Sequence, residues 1–248
     1  MSIHGSPCWY ELSTRDADAA QAFYGAIMGW QIADSGMPGM DYRVAQIGAT
    51  MVAGMMPTQG PDQPVGWMIY FAVDCADATF AAATAAGATA IVPPADIPNT
   101  GRFAILLDPQ GAGFGILQPL PGGQGGAFDQ QAMGTGNWNE IITADPEAAL
   151  AFYGPLFGWT LVRSVPMGPA PYHIIGWNGL EIGGAFALPG AANQWKPYFG
   201  VPSAKAAMAA VVAAGGTVRH GPDEVPGGAW TVQITDPQGA ALALVGPL

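Results

Sequence analysis

The chain contains one sequence pattern twice, roughly 129 residues apart. Residues 9–30 read WYELSTRDADAAQAFYGAIMGW, and residues 138–159 read WNEIITADPEAALAFYGPLFGW. A second pair of matching segments begins at Trp67 and at Trp195. Because a repeat of this length contains the pattern of a whole domain, the sequence predicts a duplicated domain rather than one large core.

The length of 248 residues suits two domains of about 120 residues each. Half of the residues are hydrophobic, so each domain has enough apolar side chains for a core of its own. Residues 121–136 are rich in Gly and Pro, as flexible connections are. We therefore predict a first domain at 1–120, a linker at 121–136 and a second domain at 137–248.

The charge balance excludes several classes of partner. The net charge is −11, with only seven Lys and Arg residues, so nucleic-acid backbones and anionic membrane surfaces would be repelled. The longest apolar stretch, Phe80–Val92, is too short to span a membrane, and Met1–Tyr10 lacks the pattern of a signal peptide. Cys8 and Cys75 are not equivalent in the repeats, which favours two free thiols over a disulfide. We expect a cytoplasmic protein.

Each repeat divides again into two modules of one strand, one helix and three strands. Asp16–Met28 has helical spacing and ends before Gly29, while Asp145 is a predicted N-cap with Pro146 at the first helical position. The other helices are predicted at Asp77–Ala86 and from Ser203 to Ala214. The strands predicted in the first repeat are Trp9–Thr14, Asp41–Ile47, Thr50–Met55, Trp67–Val73, Ala88–Val92, Arg102–Leu107 and Phe114–Gln118. Those predicted in the second repeat include Pro171–Trp177, Leu180–Leu188, Lys196–Val201, Thr217–Arg219, Trp230–Ile234 and Ala241–Val245.

Four such βαβββ modules resemble the vicinal oxygen chelate superfamily of glyoxalases, bleomycin-resistance proteins and extradiol dioxygenases. The resemblance depends on the Asp-to-Gly-Trp signatures at 16–30 and 145–159 and on the Asp-Pro-Gln-Gly turns at Asp108 and Asp236. It implies an α+β fold of two tandem glyoxalase-like domains, each with a curved eight-stranded sheet whose concave face holds the ligand. By the same analogy, a homodimer is an open alternative to a monomer.

The resemblance also implies positions for metal ligands, and this chain departs from the family there. The first-strand positions hold Trp9, Trp138, Met68 and Lys196, and the last-strand positions hold Gly115 and Ala243. The fourth position lies near Met51 in one half and Glu181 in the other. A divalent cation needs several oxygen or nitrogen donors, so we predict no metal and no other cofactor, and neither glyoxalase I nor extradiol dioxygenase activity.

Glu11 and Glu140 are the best polar candidates for chemistry. Each follows its Trp by two residues, so both side chains should lie on the same face of the strand. A carboxylate there could act as a general base, or it could simply accept structural hydrogen bonds. In the second half, Lys196 could complete an acid–base pair with Glu140, or it could lie in solvent.

The remaining candidates are side chains suited to line an apolar pocket. The predicted ligand-binding residues are Trp9, Met51, Met68, Tyr70, Trp138, His173, Tyr198 and Trp230. We read Trp30 and Trp159 as core residues.

Three functions are compatible with these residues. The first is metal-independent binding of a small apolar or aromatic molecule in one or both domains. The second is a metal-independent lyase or isomerase that uses Glu140 or Glu11 as a base, with Lys196. The third is a non-catalytic structural or interaction role. The sequence contains no Gly-rich phosphate loop, GxSxG or CxxC motif, so nucleotide, serine-hydrolase and thioredoxin chemistry has no support.

Overall fold

The computed structural model describes residues 2–123, 125–168 and 170–248. Met1, Gln124 and Pro169 lie outside the described residues, and with Gln124 so does one position of the predicted linker. None of the helices in these three ranges is long and apolar enough to cross a membrane.

Both repeats form the predicted modules of one strand, one helix and three strands. The first repeat comprises β1 (Pro7–Thr14), α1 (Ala17–Met28), β2 (Gln31–Asp34), β3 (Arg43–Ile47), β4 (Thr50–Pro57), β5 (Gly66–Ala72), α2 (Ala76–Ala85), β6 (Thr89–Ile97), β7 (Gly101–Leu107) and β8 (Gly113–Pro119). The second comprises β9 (Gly136–Ile142), α3 (Pro146–Phe157), β10 (Thr160–Met167), β11 (Ala170–Trp177), β12 (Leu180–Phe186), β13 (Gln194–Gly200), α4 (Ala204–Ala213), β14 (Thr217–Glu224), β15 (Trp230–Thr235) and β16 (Ala241–Gly246).

The strands of each repeat form one eight-stranded mixed sheet. The strand order is β2-β3-β4-β1-β5-β8-β7-β6 in the first sheet and β10-β11-β12-β9-β13-β16-β15-β14 in the second, over the described residues. β1 runs parallel to β4 and β5 runs parallel to β8, whereas the hairpin neighbours are antiparallel. The predicted α+β fold of two tandem domains is confirmed.

The helix ends follow the local signals in the sequence. Asp16 caps α1 by accepting a hydrogen bond from the N–H of Ala19, and Gly29 ends the helix with a φ of 68° in the left-handed region. Asp145 caps α3 in the same way, with Pro146 in the first turn. α2 begins after Cys75 without a side-chain cap.

Packing divides the chain into two compact units. Unit 1 comprises Met1–Cys8, Ile69–Gly125 and Trp138–Trp195, and unit 2 comprises Trp9–Met68, Gly126–Asn137 and Lys196–Leu248. Each unit therefore takes one α/β module from each repeat, α2 and α3 in unit 1 and α1 and α4 in unit 2.

Each unit has an aromatic core. In unit 2 the rings of Tyr10, Trp30, Trp67 and Phe199 pack at centroid distances of 5.1 to 6.2 Å. In unit 1 the rings of Phe71, Phe157, Trp159 and Trp195 pack at 4.8 to 5.9 Å. Trp30 and Trp159 are buried, which confirms that both belong to the core.

In unit 1, the Asp-Pro-Gln-Gly turn of the first repeat is hydrogen-bonded to α3, the first helix of the second repeat. Asp108 Oδ1 accepts hydrogen bonds from the backbone N–H groups of Gln110 and Ala112, and Oδ2 accepts one from the Tyr153 hydroxyl at 3.0 Å. Trp195 Nε1 in turn donates to the Tyr153 oxygen at 3.0 Å. The turn therefore holds α3 in place as well as connecting β7 to β8.

Unit 2 contains the same arrangement. The Tyr24 hydroxyl donates to Asp236 Oδ2 at 3.0 Å, and Trp67 Nε1 donates to the Tyr24 oxygen at 3.1 Å. Burial, and then the negative charge of Asp236, raise the pKa of Tyr24 well above its ordinary value. The hydroxyl therefore stays protonated and donates to the carboxylate.

Candidate functional site

On the other face of β1, Trp9, Tyr42 and Glu11 form a hydrogen-bonded cluster in unit 2. Trp9 Nε1 donates to the Tyr42 oxygen at 3.0 Å, and the Tyr42 hydroxyl donates to Glu11 Oε2 at 3.0 Å. All three side chains are partly exposed. The cluster is therefore ordered internally and still reachable by a small molecule.

Strand alternation and one glycine place these side chains. Tyr10 and Leu12 point into the core and are fully buried, so Trp9 and Glu11 lie on the opposite face of β1. Glu11 pairs with Gly54 on β4. A Cβ atom at Gly54 would lie only 1.9 Å from the Tyr42 hydroxyl oxygen, so the Tyr42 ring occupies the space that this glycine leaves.

The second repeat builds the same cluster in unit 1. Trp138 Nε1 donates to the Tyr172 oxygen at 2.8 Å, and the Tyr172 hydroxyl donates to Glu140 Oε2 at 3.1 Å. A Cβ atom at Gly184, which pairs with Glu140, would lie 2.2 Å from the Tyr172 ring. We call the two groups the Trp–Tyr–Glu clusters.

The electrostatics of the clusters fix the direction of their hydrogen bonds. Burial, and then the charge of Glu11, raise the pKa of Tyr42 well above its ordinary value, and burial followed by the charge of Glu140 does the same to Tyr172. An indole N–H can only donate, so each Tyr oxygen accepts from Trp and each hydroxyl proton goes to the carboxylate. The polar atoms of the Trp and Tyr rings are used within each cluster, and the rings of Trp9 and Trp138 remain partly exposed.

A different polar group lies in the last module of unit 2. Lys196 Nζ donates to Gln233 Oε1 at 3.0 Å, and Gln233 Nε2 donates to the Tyr198 oxygen at 2.8 Å. Lys196 and Tyr198 are on β13, and Gln233 is on β15. The structure thus brings two of the predicted site residues, Lys196 and Tyr198, together through a third.

In the first repeat, Met68 and Tyr70 lie at the positions equivalent to Lys196 and Tyr198. Met68 is half-buried, and Tyr70 is buried with its ring against Gly115. The thiol of Cys8 donates to the backbone oxygen of Tyr70 at 3.4 Å. Burial raises the pKa of the Cys8 thiol well above its ordinary value, which disfavours the reactive thiolate.

Three predicted ligand-binding residues lie apart from these groups. Met51 is 60% exposed near the start of β4. His173 is buried on the opposite face of β11 from Tyr172, where its Nδ1 is hydrogen-bonded to Ser164 Oγ at 2.8 Å. By alternation, Trp230 shares a face of β15 with Val232 and not with Gln233.

The site residues predicted from the sequence do not include Tyr42, Tyr172, Gln233 or the two glycines. Tyr42 recurs as Tyr172 and Gly54 recurs as Gly184, each 130 residues later. This shared spacing is the sequence signal from which the contact between each tyrosine and its glycine could have been predicted. The contact itself depends on cross-strand register, which a single sequence does not specify.

With this geometry established, the comparisons with known proteins identify the family. Residues 8–116 match the model of the glyoxalase/bleomycin resistance protein/dioxygenase superfamily, and residues 140–245 match that of a glyoxalase-like domain. The chain belongs to this glyoxalase superfamily. Both repeats are members, in agreement with the duplication.

Two relatives in sequence illustrate the range of the superfamily. CFP32 of Mycobacterium bovis, which carries the name of a glyoxylase, is 49% identical over 120 residues, covering 47% of this chain and 45% of the relative. The match thus spans less than half the length of that relative. The anthracycline biosynthesis protein DnrV of Streptomyces peucetius is 29% identical over 260 residues, covering 97% of this chain and 93% of the relative.

Solved structures agree on the fold. The Mn(II)-bound glyoxalase from Novosphingobium aromaticivorans superimposes with a TM-score of 0.70 at 15% identity, covering 100% of this chain and 84% of that one. The 2,3-dioxygenase LapB from Pseudomonas sp. KL28 gives 0.67 at 13% identity, covering 99% of this chain and 93% of that one.

The residues of this glyoxalase-superfamily chain do not fit the divalent metal that the family implies. Trp9 and Trp138 use their ring N–H groups as donors, and Lys196 is likewise a donor rather than a ligand. The Tyr70 ring occupies the place where a side chain at Gly115 would project. Over residues 2–123, 125–168 and 170–248, no three His, Cys, Asp or Glu side chains are grouped so as to hold a metal ion.

Proposed function

We propose that this protein binds a small apolar or aromatic molecule, without a metal ion, against the rings of one or both Trp–Tyr–Glu clusters. The observation that supports this best is the internal use of the indole N–H and phenol groups in both clusters. Since these polar atoms already have partners, a flat ring that stacks on Trp9 or Trp138 leaves none of them unsatisfied. Aromatic pairs of this kind contribute about 0.5 to 1.5 kcal/mol beyond the burial of area.

The comparison with DnrV supports a polycyclic aromatic ligand. That relative is named for anthracycline biosynthesis and matches nearly the whole chain. The net charge of −11 attracts cations and repels anions, so neutral or cationic ligands are favoured over anionic ones.

Titration with anthraquinone tests the proposal. We expect tryptophan fluorescence to be quenched with a micromolar dissociation constant, and the Trp9→Leu and Trp138→Leu variants each to weaken or remove one binding event. Trp177→Phe is the matched control, because Trp177 is also partly exposed but donates to the backbone oxygen of His4 outside both clusters. Full binding by the Trp9→Leu/Trp138→Leu double variant would contradict the proposal.

A second candidate function is metal-independent acid–base catalysis. Glu140 is a carboxylate only 5% exposed, held in one orientation by Tyr172, and such a group can serve as a positioned general base. Under this alternative, Glu140→Gln retains ligand binding but stops conversion of the bound ligand, followed by mass spectrometry. Equal behaviour of Glu140→Gln and the native protein would leave binding alone as the function.

A further inference from the structure

Arg163 and Glu181 form an ion pair between two strands of the second repeat. Arg163 is on β10 and Glu181 is on β12, and Arg163 Nη1 donates to Glu181 Oε1. Both residues belong to the Trp138–Trp195 segment of unit 1, and their side chains are 48% and 37% exposed. Ion pairs as exposed as this one contribute little to stability, so the stability of the fold gives little reason for its position.

Cross-strand register places Arg163 on the same face of the sheet as the Trp–Tyr–Glu cluster of unit 1. Glu140 pairs with Gly184 on β12, which pairs with Ile174 on β11. Ile174 in turn pairs with Arg163. Directly paired residues project their side chains to one face, so these four residues form a single row across the sheet.

The spacing of this row brings Arg163 within reach of a ligand at the cluster. Gly184 and Arg163 are two strands apart, which corresponds to about 10 Å between their backbones. The Tyr172 ring lies over Gly184. Ile174, between Gly184 and Arg163, is an apolar floor that is only 6% exposed. A flat ligand that contacts the Tyr172 ring can therefore extend over Ile174 to the arginine.

The chemistry of the ion pair suits a neutral hydrogen-bond acceptor. A guanidinium group has five N–H donors, and the hydrogen bond to Glu181 uses one of them. The carboxylate of Glu181 balances the charge of Arg163, and the carboxylate of Glu140 lies in the same row. A carbonyl oxygen can accept from Arg163 without bringing a further negative charge to these two carboxylates.

The first repeat has uncharged side chains at both positions of the ion pair. Ala33 and Met51 precede Arg163 and Glu181 by 130 residues, and the cross-strand pairing at these positions is the same in the two sheets. Neither alanine nor methionine offers a hydrogen-bond donor. The two repeats thus share the Trp–Tyr–Glu cluster and differ in the ion pair on the same sheet face.

We infer that Arg163 binds a neutral carbonyl oxygen, that of a ketone or a quinone, on a ring that lies against the Trp–Tyr–Glu cluster of unit 1. The inference rests on the proposed function and names the chemical class of the ligand in that unit. Hydrogen bonds from a guanidinium group are charge-assisted and stronger than neutral ones. Glu181 holds the guanidinium in place, which reduces the ordering that ligand binding has to supply.

Two probes of the same shape test this contact: 2-ethylnaphthalene, and 2-acetylnaphthalene, which has a carbonyl in place of a methylene group. Each is titrated by calorimetry into the full-length Trp9→Leu variant, in which the cluster of unit 1 is intact. We expect 2-acetylnaphthalene to bind about tenfold more tightly, as one hydrogen bond from a charged donor predicts. Adding Arg163→Ala, which installs the residue found at Ala33, should remove this gain and leave the binding of 2-ethylnaphthalene unchanged.

Arg219→Ala is the matched control for Arg163→Ala. Arg219 is also an exposed arginine on an edge strand, β14, and it donates to Thr235 Oγ1. The control should retain the tenfold gain. Arg163→Met keeps the apolar part of the side chain and replaces Arg163→Ala if that variant does not fold. Retention of the gain in a folded variant without Arg163 would overturn the inference.

A third probe, 2-naphthoate, tests whether the acceptor is neutral. Because Glu181 already balances the charge of Arg163, 2-naphthoate should bind more weakly than 2-acetylnaphthalene. Glu181→Met, which installs the residue found at Met51, leaves the charge of Arg163 unbalanced and should raise the affinity for 2-naphthoate. Tighter binding of 2-naphthoate than of 2-acetylnaphthalene with Glu181 in place would overturn the assignment of a neutral carbonyl.

The outcomes separate this inference from the proposed function. Equal affinity for 2-ethylnaphthalene and 2-acetylnaphthalene would refute the Arg163 contact and uphold the proposed function. An Arg163-dependent gain that survives the further change Trp138→Leu would uphold the contact and refute recognition by the ring of Trp138. No binding of any of the three probes would refute both.

Discussion

A tyrosine hydroxyl between an indole and a carboxylate occurs four times among the described residues, twice in each unit. The chains are Trp9–Tyr42–Glu11, Trp67–Tyr24–Asp236, Trp138–Tyr172–Glu140 and Trp195–Tyr153–Asp108. The two that end on Asp are buried and connect a turn to a helix, whereas the two that end on Glu lie on a sheet face. The same sequence of indole, phenol and carboxylate thus serves the core and the candidate site, and the partial exposure of the Trp and Tyr rings distinguishes the candidate site.

The glycine beneath Tyr42 is a test of how tightly the first cluster is packed. Gly54→Ala places a methyl group 1.9 Å from the present position of the Tyr42 oxygen, so the ring must move. We expect a loss of about 1 to 3 kcal/mol in the free energy of unfolding, typical of overpacking, measured by urea titration. Binding of anthraquinone at the first repeat should weaken in parallel.

Gly66→Ala is the control for this change. Gly66 also lies in a strand, and a Cβ atom there would meet nothing within 4 Å. Its free energy of unfolding should stay within about 0.5 kcal/mol of the native value. A Gly54→Ala variant as stable as Gly66→Ala would show that the Tyr42 ring is loosely placed.

The buried tyrosines predict a loss of stability at alkaline pH. Burial, and then the charge of Asp108, raise the pKa of Tyr153 in the folded state above its unfolded value near 10. Below about pH 10 the stabilisation is fully present, and above it only the unfolded chain releases the proton, so stability falls as pH rises. In Tyr153→Phe, the decline in the free energy of unfolding between about pH 10 and 11.5 should be shallower by up to about 1.4 kcal/mol per pH unit. An unchanged slope would mean that the folded pKa of Tyr153 is ordinary.

At the scale of elements, the helices were predictable and two edge strands were not. Caps such as Asp16 and Ser203 are local signals, and the structure places both at the predicted helix starts. The predicted modules have three strands after each helix, but no residues were assigned to β2 and β10, because β2 has only four residues and every residue of β10 is exposed. Without a buried face, neither has the apolar alternation by which a strand is recognised.

The candidate site was predictable only in part, for a related reason. The alternation of β1 correctly groups Trp9 with Glu11, because both belong to one strand. The contacts of Glu11 with Tyr42, and of Lys196 with Gln233, join different strands, so they depend on register and on the small residues between them.

Gln238, in the Asp-Pro-Gln-Gly turn at Asp236, is predicted to stabilise the start of α1. Gln238 Oε1 accepts from the backbone N–H groups of Arg15 and Asp16, and its Nε2 donates to the Asp16 oxygen. Gln238→Ala should lower the free energy of unfolding by about 1 to 2 kcal/mol, because these backbone groups lose their partner. Gln131→Ala, at an exposed position, should be near neutral. Equal stability of the two variants in urea would contradict the account of this turn.

At the scale of the whole molecule, the charge imbalance should be visible in the effect of salt. Eighteen acidic residues against seven basic ones repel one another at neutral pH. Sodium chloride at about 0.5 M screens this repulsion, so we expect the thermal midpoint to rise by a few degrees. A midpoint that falls with salt would show that attractive ion pairs, such as those of Arg43 and Arg102 with their aspartates, outweigh the repulsion.

The duplication gives each repeat a Trp–Tyr–Glu cluster, and within the part of the chain that the structure describes no three His, Cys, Asp or Glu side chains are grouped as a metal site would need. The second repeat adds the Lys196 group where the first has apolar residues. The molecule therefore keeps the family's architecture, and the function that we propose for it is recognition by rings and hydrogen bonds instead of coordination.

Metal-independent recognition by the two Trp–Tyr–Glu clusters is tested most directly by calorimetric titration of anthraquinone into the native chain. One series contains EDTA and the other contains excess manganese. We predict the same micromolar affinity in both series, and its loss in the Trp9→Leu/Trp138→Leu double variant. Binding that appears only with manganese, or that survives the loss of both tryptophans, would contradict metal-independent recognition by the two clusters.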